Sequence, residues 1–374
     1  MKYVDEYRNP KQAKKIIKQI ESLCCQIKLD RPIQVMEVCG GHTHAIFRYG
    51  IKQLLPDNLE FVHGPGCPVC VLPRSVVDKC IELAGNKNVI FTTFGDAKRV
   101  RGSKLSLLEA KAQGLDVRMI YSPLDALQIA TSNPQKKIVF FGLGFETTMP
   151  ATALSVLQAK KLGLNNFFLF CNHITIIPTL QAVLAVPEVK IDGFIGPGHV
   201  SAVIGSKPYQ FIADKYRKPL VIAGFEPLDI LQALWMVLNQ LNNQQAKIEN
   251  QYSRVVCENG QAQALAAMQQ VFEVREYSEW RGLGVIEQSG VQITQQYQAF
   301  DAEHEFKLTD NTVNDPKLCQ CGEVLTGMLK PWQCRVFGTE CTPENPLGAL
   351  MVSSEGACSA HYSFNSDIEN TSTS

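Results

Sequence analysis

No apolar run in this sequence approaches the ~20 residues that a membrane-spanning helix requires. The longest, IVFFGLGF and FFLFC, stop far short. The opening MKYVDEYRNPKQAKK alternates in charge and lacks the apolar stretch of a secretion signal. Surplus charge of either sign is also missing, since 36 Lys+Arg match 36 Asp+Glu. That balance removes any general attraction to nucleic acid or to an anionic membrane. There is no low-complexity tract and no GxxxxGK[ST] phosphate loop, and Gly142-Leu143-Gly144 is only a fragment of a dinucleotide-binding turn. These absences point to a soluble cytoplasmic protein that works without nucleic acid or membrane and has no motif for nucleotide chemistry.

What the chain does have is cysteine: 13 residues, with no signal for export. A reducing cytosol keeps such thiols free, so metal binding or redox work is the expectation rather than a disulfide framework. The 374 residues, 45% hydrophobic and 19% charged, suffice for two or three domains with buried cores.

Residues 10–29 carry Ile16, Ile17, Ile20, Leu23 and Cys24 on one helical face, which assigns Cys24 and Cys25 to packing. From Ile33 onward, short apolar runs end in glycine and are followed by helix-like stretches. Strands are expected at Ile33–Val38, Glu60–His63, Val89–Thr93, Val117–Tyr121, Ile138–Phe141, Phe167–Cys171, Gly193–Ile195 and Leu220–Ala223. Strands alternating with helices mean parallel βαβ units. FFGLGFETTMP and VIAGFEPLD echo each other, each placing Gly-Phe-Glu beyond a strand. After about Gln244 the rhythm stops. The expected architecture is α/β: a helix over 1–30 packed on the C-terminal region, two parallel-sheet domains side by side over 31–133 and 134–245, and a Cys-rich domain over 246–374. The tail SDIENTSTS reads as disordered.

Three constellations carry chemistry. Cys321, Cys334, Cys341 and Cys358, with Cys319 as a nearby fifth, come from separate loops of a Gly/Pro-rich segment and suit a [4Fe-4S] cluster or a tetrahedral zinc. CGGHTH at 39–44 follows a strand, so Cys39, His42 and His44 can converge on one ion, unless the histidines simply begin the next helix. GPGCPVC at 64–70 places Cys67 and Cys70 ahead of a helix, a setting for an accessible thiol pair with thiolate character or for half a metal site. Asp96, Arg99, Glu146, His173, His199 and Glu226 also follow strands, where ligands of open parallel sheets collect. Glu355 precedes Cys358 by three residues, and Cys80, Cys171 and Cys257 read as core residues.

Together CGGHTH, GPGCPVC, TFGDAKRVRG, GLGFETTMP, GPGHVS, GFEPLD and EVLTGMLKPWQCRVFGTECTPENPLGALMVSSEGAC resemble the HypD family over nearly the whole chain. The resemblance implies assembly of the Fe(CN)2CO moiety of nickel–iron hydrogenases, on a complex with a HypC-type chaperone and with cyanide delivered through HypE. It implies that the Cys-rich domain over 246–374 is an iron–sulfur cluster domain with [4Fe-4S] ligands at Cys321, Cys334, Cys341 and Cys358, transient iron carrying CN and CO at Cys39 with His42 beside it, and a redox-active pair at Cys67 and Cys70. His199 and Glu355 join the expected catalytic set. One departure is Arg101, where the family usually has proline. Two competing readings are a stand-alone iron–sulfur thiol/disulfide oxidoreductase and a zinc-stabilised binding protein.

Overall fold

A computed structural model describes residues 4–308, 313 and 318–371, the side chains of 365–371 excepted. All eight expected strands form: β1 Ile33–Glu37, β2 Leu59–His63, β3 Val89–Thr93, β4 Val117–Met119, β5 Lys137–Gly144, β6 Phe167–His173, β7 Gly193–Pro197 and β8 Leu220–Ala223. Three more follow: β9 Ile248–Asn250, β10 Phe272–Trp280 and β11 Gly284–Ile293. Branched and aromatic runs such as VIFTT and FFLFCNH are almost wholly buried, as expected of parallel strands covered on both faces.

The strands build two parallel sheets and a hairpin. One sheet has the order β2-β1-β7-β8-β9, the other β4-β3-β5-β6, and β10 pairs antiparallel with β11. The chain divides into two compact units, one of Met1–Cys67, Leu180–Gln261 and Leu318–Ser374, the other of Pro68–Thr179 and Ala262–Lys317. These are not consecutive blocks of sequence, and they cut the chain differently from boundaries at 133 and 245. The physical reason is strand pairing: β1 takes β7 as a neighbour, with Val35 opposite Gly193.

In the first unit the core joins Ile33 and Val35 of β1 to Ile195, Val221 and Leu234. The helix Pro10–Gln26 adds Ile20, Leu23 and Cys24 to that core while Cys25 is exposed. Its main partner is the helix Pro227–Asn242, rather than the Cys-rich segment. In the second unit Ile138, Phe140, Phe167 and Leu169 pack with Phe272, Val291 and Ile293 of the hairpin. The final helix, Ala357–Thr371, runs through much of the tail expected to be disordered, and 372–374 lie outside the described residues. Among the described residues no helix is long and apolar enough to cross a membrane.

Connections from β1 and β7 leave in opposite directions, toward β2 and toward β8, so the carboxyl ends of these neighbouring strands form the switch point of the first sheet. Ligand crevices open at such points. Cys39 follows β1 and His199 follows β7.

Candidate functional site

Cys39 is the N-cap of the helix Gly40–Arg48, and His42 lies in its first turn. Both are buried, His42 completely. The sequence left open whether the histidines ligate or begin a helix, and they do begin one. Successive helical residues turn by about 100°, so His44 points away from His42 and meets Phe364 edge-on at 5.7 Å.

The His42 ring is held by its surroundings. Nε2 lies 2.9 Å from Gly224 O and 3.2 Å from Ala223 O. Carbonyl oxygens only accept, so Nε2 carries the proton. Burial pushes the His42 pKa down, keeping the ring neutral, and Nδ1 is then a buried lone pair with no hydrogen-bond partner. An imidazole whose N–H is pinned on a backbone carbonyl is the usual form of a metal-ligating histidine.

Cys39 is tuned by burial first and then by the charge of Glu37, which together push its thiol up to about 12; Glu355 adds to this, against the N–H groups of Gly41 and His42. An adjacent cation reverses this balance, because it stabilises the thiolate. Glu37, fully buried at the end of β1, accepts the Cys39 N–H at 3.0 Å, the Thr43 hydroxyl, and His63 Nδ1–H at 2.8 Å. The Gly40 N–H donates to Gly66 O at 3.3 Å, which ties Cys39 to the loop holding Cys67.

A second group of residues gathers the C-terminal thiols in the same unit. Cys321 opens the helix Cys321–Leu325, Cys334 caps the short turn Pro331–Gln333, and Cys358 lies in the first turn of Ala357–Thr371. The Cys319 and Cys321 sulfurs are 2.9 Å apart. Gly348 lies against both, and a Cβ there would come within 2.5 Å of each sulfur. Cys321 has its pKa raised by the Cys319 thiol and then by burial, with the Leu350 N–H opposing. Cys341 is raised by burial and Cys358 by burial with Cys341, Cys319 and Cys334 around it, while the N–H groups of Gly348 and Leu347 meet Cys341. Buried thiols that raise one another, met by backbone N–H groups, are stabilised as thiolates beside a cationic metal group, and such donors are of the kind that an iron–sulfur cluster or a tetrahedral zinc takes. Among the described residues no three His, Cys, Asp or Glu side chains are drawn onto a single ion.

A family model described as "HypD: Hydrogenase formation hypA family" matches residues 11–365. The chain belongs to the HypD family of hydrogenase maturation factors. It is 56% identical over 370 residues to hydrogenase maturation factor HypD of Rhodobacter capsulatus, covering 97% of this chain and 98% of that one. It is 55% identical over 366 residues to the Escherichia coli K12 protein of the same name, again 97% and 98% of the two chains. The Rhizobium leguminosarum protein of that name is 49% identical over 371 residues, covering 97% and 96%.

Other HypD-like motif residues fall as follows. Cys67 and Cys70 are buried, at 4% and 1% exposure, in a turn before the helix Arg74–Gly85. Pro73 delays that helix, so neither thiol is in its first turn and neither is accessible. His199 is exposed, stacked at 3.8 Å on Phe225. Glu355 is exposed beside Gly40. Glu146 and Glu226 serve helix starts: Glu146 accepts the Ile176 N–H at 3.1 Å, and Glu226 shares a capping box with Asp229. Cys80 and Cys171 are buried as expected, whereas Cys257 is exposed.

Sequence reasoning missed Glu37, His63 and Phe225. An acidic residue at the end of an otherwise apolar strand, IQVME, was the available signal for Glu37. Phe225 was overlooked because GFEPLD drew attention to its glutamate.

Proposed function

We propose that this chain is an assembly scaffold for the Fe(CN)2CO moiety of nickel–iron hydrogenases, holding iron as cargo at Cys39 with His42 beside it. A HypC-type chaperone supplies a further thiolate, and cyanide arrives through HypE. The observation that carries this reading is the His42 ring, neutral and pinned through Nε2, with a buried unpartnered Nδ1 one helical turn from a buried thiol. A site shared between two chains releases its metal when they part, whereas four ligands from one chain retain it.

Cys321, Cys334, Cys341 and Cys358 would hold a [4Fe-4S] cluster, which supplies one-electron redox capacity when bound. Cys67 and Cys70 supply a dithiol in the loop bonded to Gly40. Glu37 fixes the backbone of Cys39, and Glu355 lies over the glycine that follows it.

The test is infrared spectroscopy of protein purified anaerobically with its partners. Bands from metal-bound CN and CO are expected in the native protein and absent after Cys39→Ala, which keeps its C-terminal iron. Bands of undiminished intensity in that variant overturn the assignment.

A further inference from the structure

The ring that stacks on two histidines of the first unit, His42 and His199, belongs to neither motif that contains them. Phe225 lies just beyond β8, between two imidazoles: His42 at 4.7 Å and 24° on one side, His199 at 3.8 Å and 22° on the other. His42 is buried, Phe225 half-buried and His199 exposed. The two carbonyls that receive His42 Nε2–H are those of Ala223 and Gly224, the residues immediately before Phe225. One tripeptide therefore fixes both the ring plane of His42 and the nitrogen that bears its proton.

The surroundings make that tripeptide stiff. Gly224 N–H donates to Gln251 Oε1, Gln251 Nε2 donates to Asp229 Oδ1 at 2.8 Å, and Arg254 binds both oxygens of fully buried Asp229 at 2.9 and 2.6 Å. The Glu226 N–H donates to Asp229 Oδ2 at 3.2 Å, and Tyr252 meets Phe225 edge-on. The helices that bring in the histidines are shaved to admit the ring. A Cβ on Gly41 would stand 2.9 Å from Phe225 Cε1, and one on Gly198 would stand 3.2 Å from Cε2.

We infer that Ala223-Gly224-Phe225 is the positioning element of the iron site, setting His42 as the Nε2–H tautomer so that iron is met through Nδ1. This rests on the cargo reading above. It adds which nitrogen binds, and it gives a role to a segment that touches no metal. The stacked Phe225 also keeps His199 out of the inner layer, so His199 faces whatever approaches from solvent while His42 faces the cargo. Residues that orient a ligating histidine typically change metal affinity by roughly 10–100-fold when lost.

The test uses full-length protein with ¹⁵N-labelled histidine, and ferrous iron alone as the probe. In metal-free protein the His42 signals, assigned by their loss in His42→Gln, are expected to report Nε2–H. Phe225→Leu is expected to weaken iron binding at Cys39 by about tenfold or more, with C-terminal iron and sulfide unchanged as proof of folding. Phe225→Tyr restores binding, and Gly41→Ala, which displaces the ring without removing it, weakens it. An Nδ1–H tautomer in the native protein, or Phe225→Leu binding iron as tightly as native while Cys39→Ala does not, overturns the inference alone. Equal iron binding by native protein and Cys39→Ala overturns the cargo reading with it.

Discussion

The carboxylate of Glu355 lies against Gly40, so closely that a Cβ on that glycine would stand 2.6 Å from both Glu355 Cβ and Oε2. Gly40 follows Cys39, and Glu355 precedes Cys358 by three residues. The first helical turn after β1 is thus in contact with the loop that leads to the last cysteine.

Gly40→Ala is therefore expected to destabilise the first unit by about 1–3 kcal/mol through overpacking, and to reduce iron uptake at Cys39. Glu355→Ala in the same chain returns part of the lost stability by clearing the space. Urea melts of the single and double variants measure both effects. A Gly40→Ala protein as stable as native shows that the contact carries no constraint.

Cys334→Ala and Cys341→Ala are each expected to remove the brown chromophore and the sulfide, taking the iron content down by about four atoms per chain, and to loosen the C-terminal segment. Cys319 and Cys321 both lie on Gly348. Cys321→Ala is expected to behave like the other two, while Cys319→Ala keeps its metal. Iron and sulfide analysis after anaerobic purification distinguishes them, and native content in Cys334→Ala and Cys341→Ala rejects the ligand assignment.

Burial of Cys67 and Cys70 predicts slow chemistry from outside. In native protein both are expected to react with iodoacetamide at least about tenfold more slowly than the exposed thiols Cys25 and Cys257. Adding partners or poising the potential then changes their reactivity if the pair cycles between dithiol and disulfide. Peptide mass spectrometry after timed alkylation reads each site, and fast labelling of both at rest contradicts the closed arrangement.

Glu146 gives a pH signature for the second unit. Burial pushes its carboxyl up to about 7, despite the opposing N–H groups of its own residue and Ile176. A folded pKa above the unfolded value means that the native state binds the proton more tightly. Its contribution is complete below the unfolded value, near 4.3, and is lost as pH rises to about 7. The loss is on the order of 3 kcal/mol. Glu146→Gln removes that component, so the native-minus-variant difference in stability should fall between about pH 4 and about pH 8. A flat difference across that window refutes the assignment.

Much of this fold was legible because parallel strands advertise themselves: runs such as VIFTT and LVIA must be apolar on both faces, and β3 and β8 fall on their expected residues. The hairpin was not legible. Between its ends, β10 reads EVREYSE and exposes residues on both faces, so no two-residue alternation marks it. Cys39 and the four late cysteines drew attention among 13 because one ends a strand beside two glycines and the others cluster in one Gly/Pro-rich segment. His42 and His44 could not be separated until the helix beneath them was fixed, although a helical turn excludes a common direction for residues two apart. The assignment of segments to units was beyond reach, since the pairing of β1 with β7 has no local signature.

The chain passes from one unit to the other four times, after Cys67, Thr179, Gln261 and Lys317. During synthesis this imposes a waiting order. β1 leaves the ribosome long before its partner β7, and the helix bearing Cys39 and His42 is complete before Phe225 exists to hold it. Glu355 and the late thiols come last, on residues 318–374. Long-range closures of this kind fold slowly, and a chain that stops short of Ala223 has His42 but neither of the backbone carbonyls that orient it. The hydrogen bonds that orient His42 therefore form only after Ala223 and Gly224 have been made, and the Glu355 contact at Gly40 only near the end of synthesis.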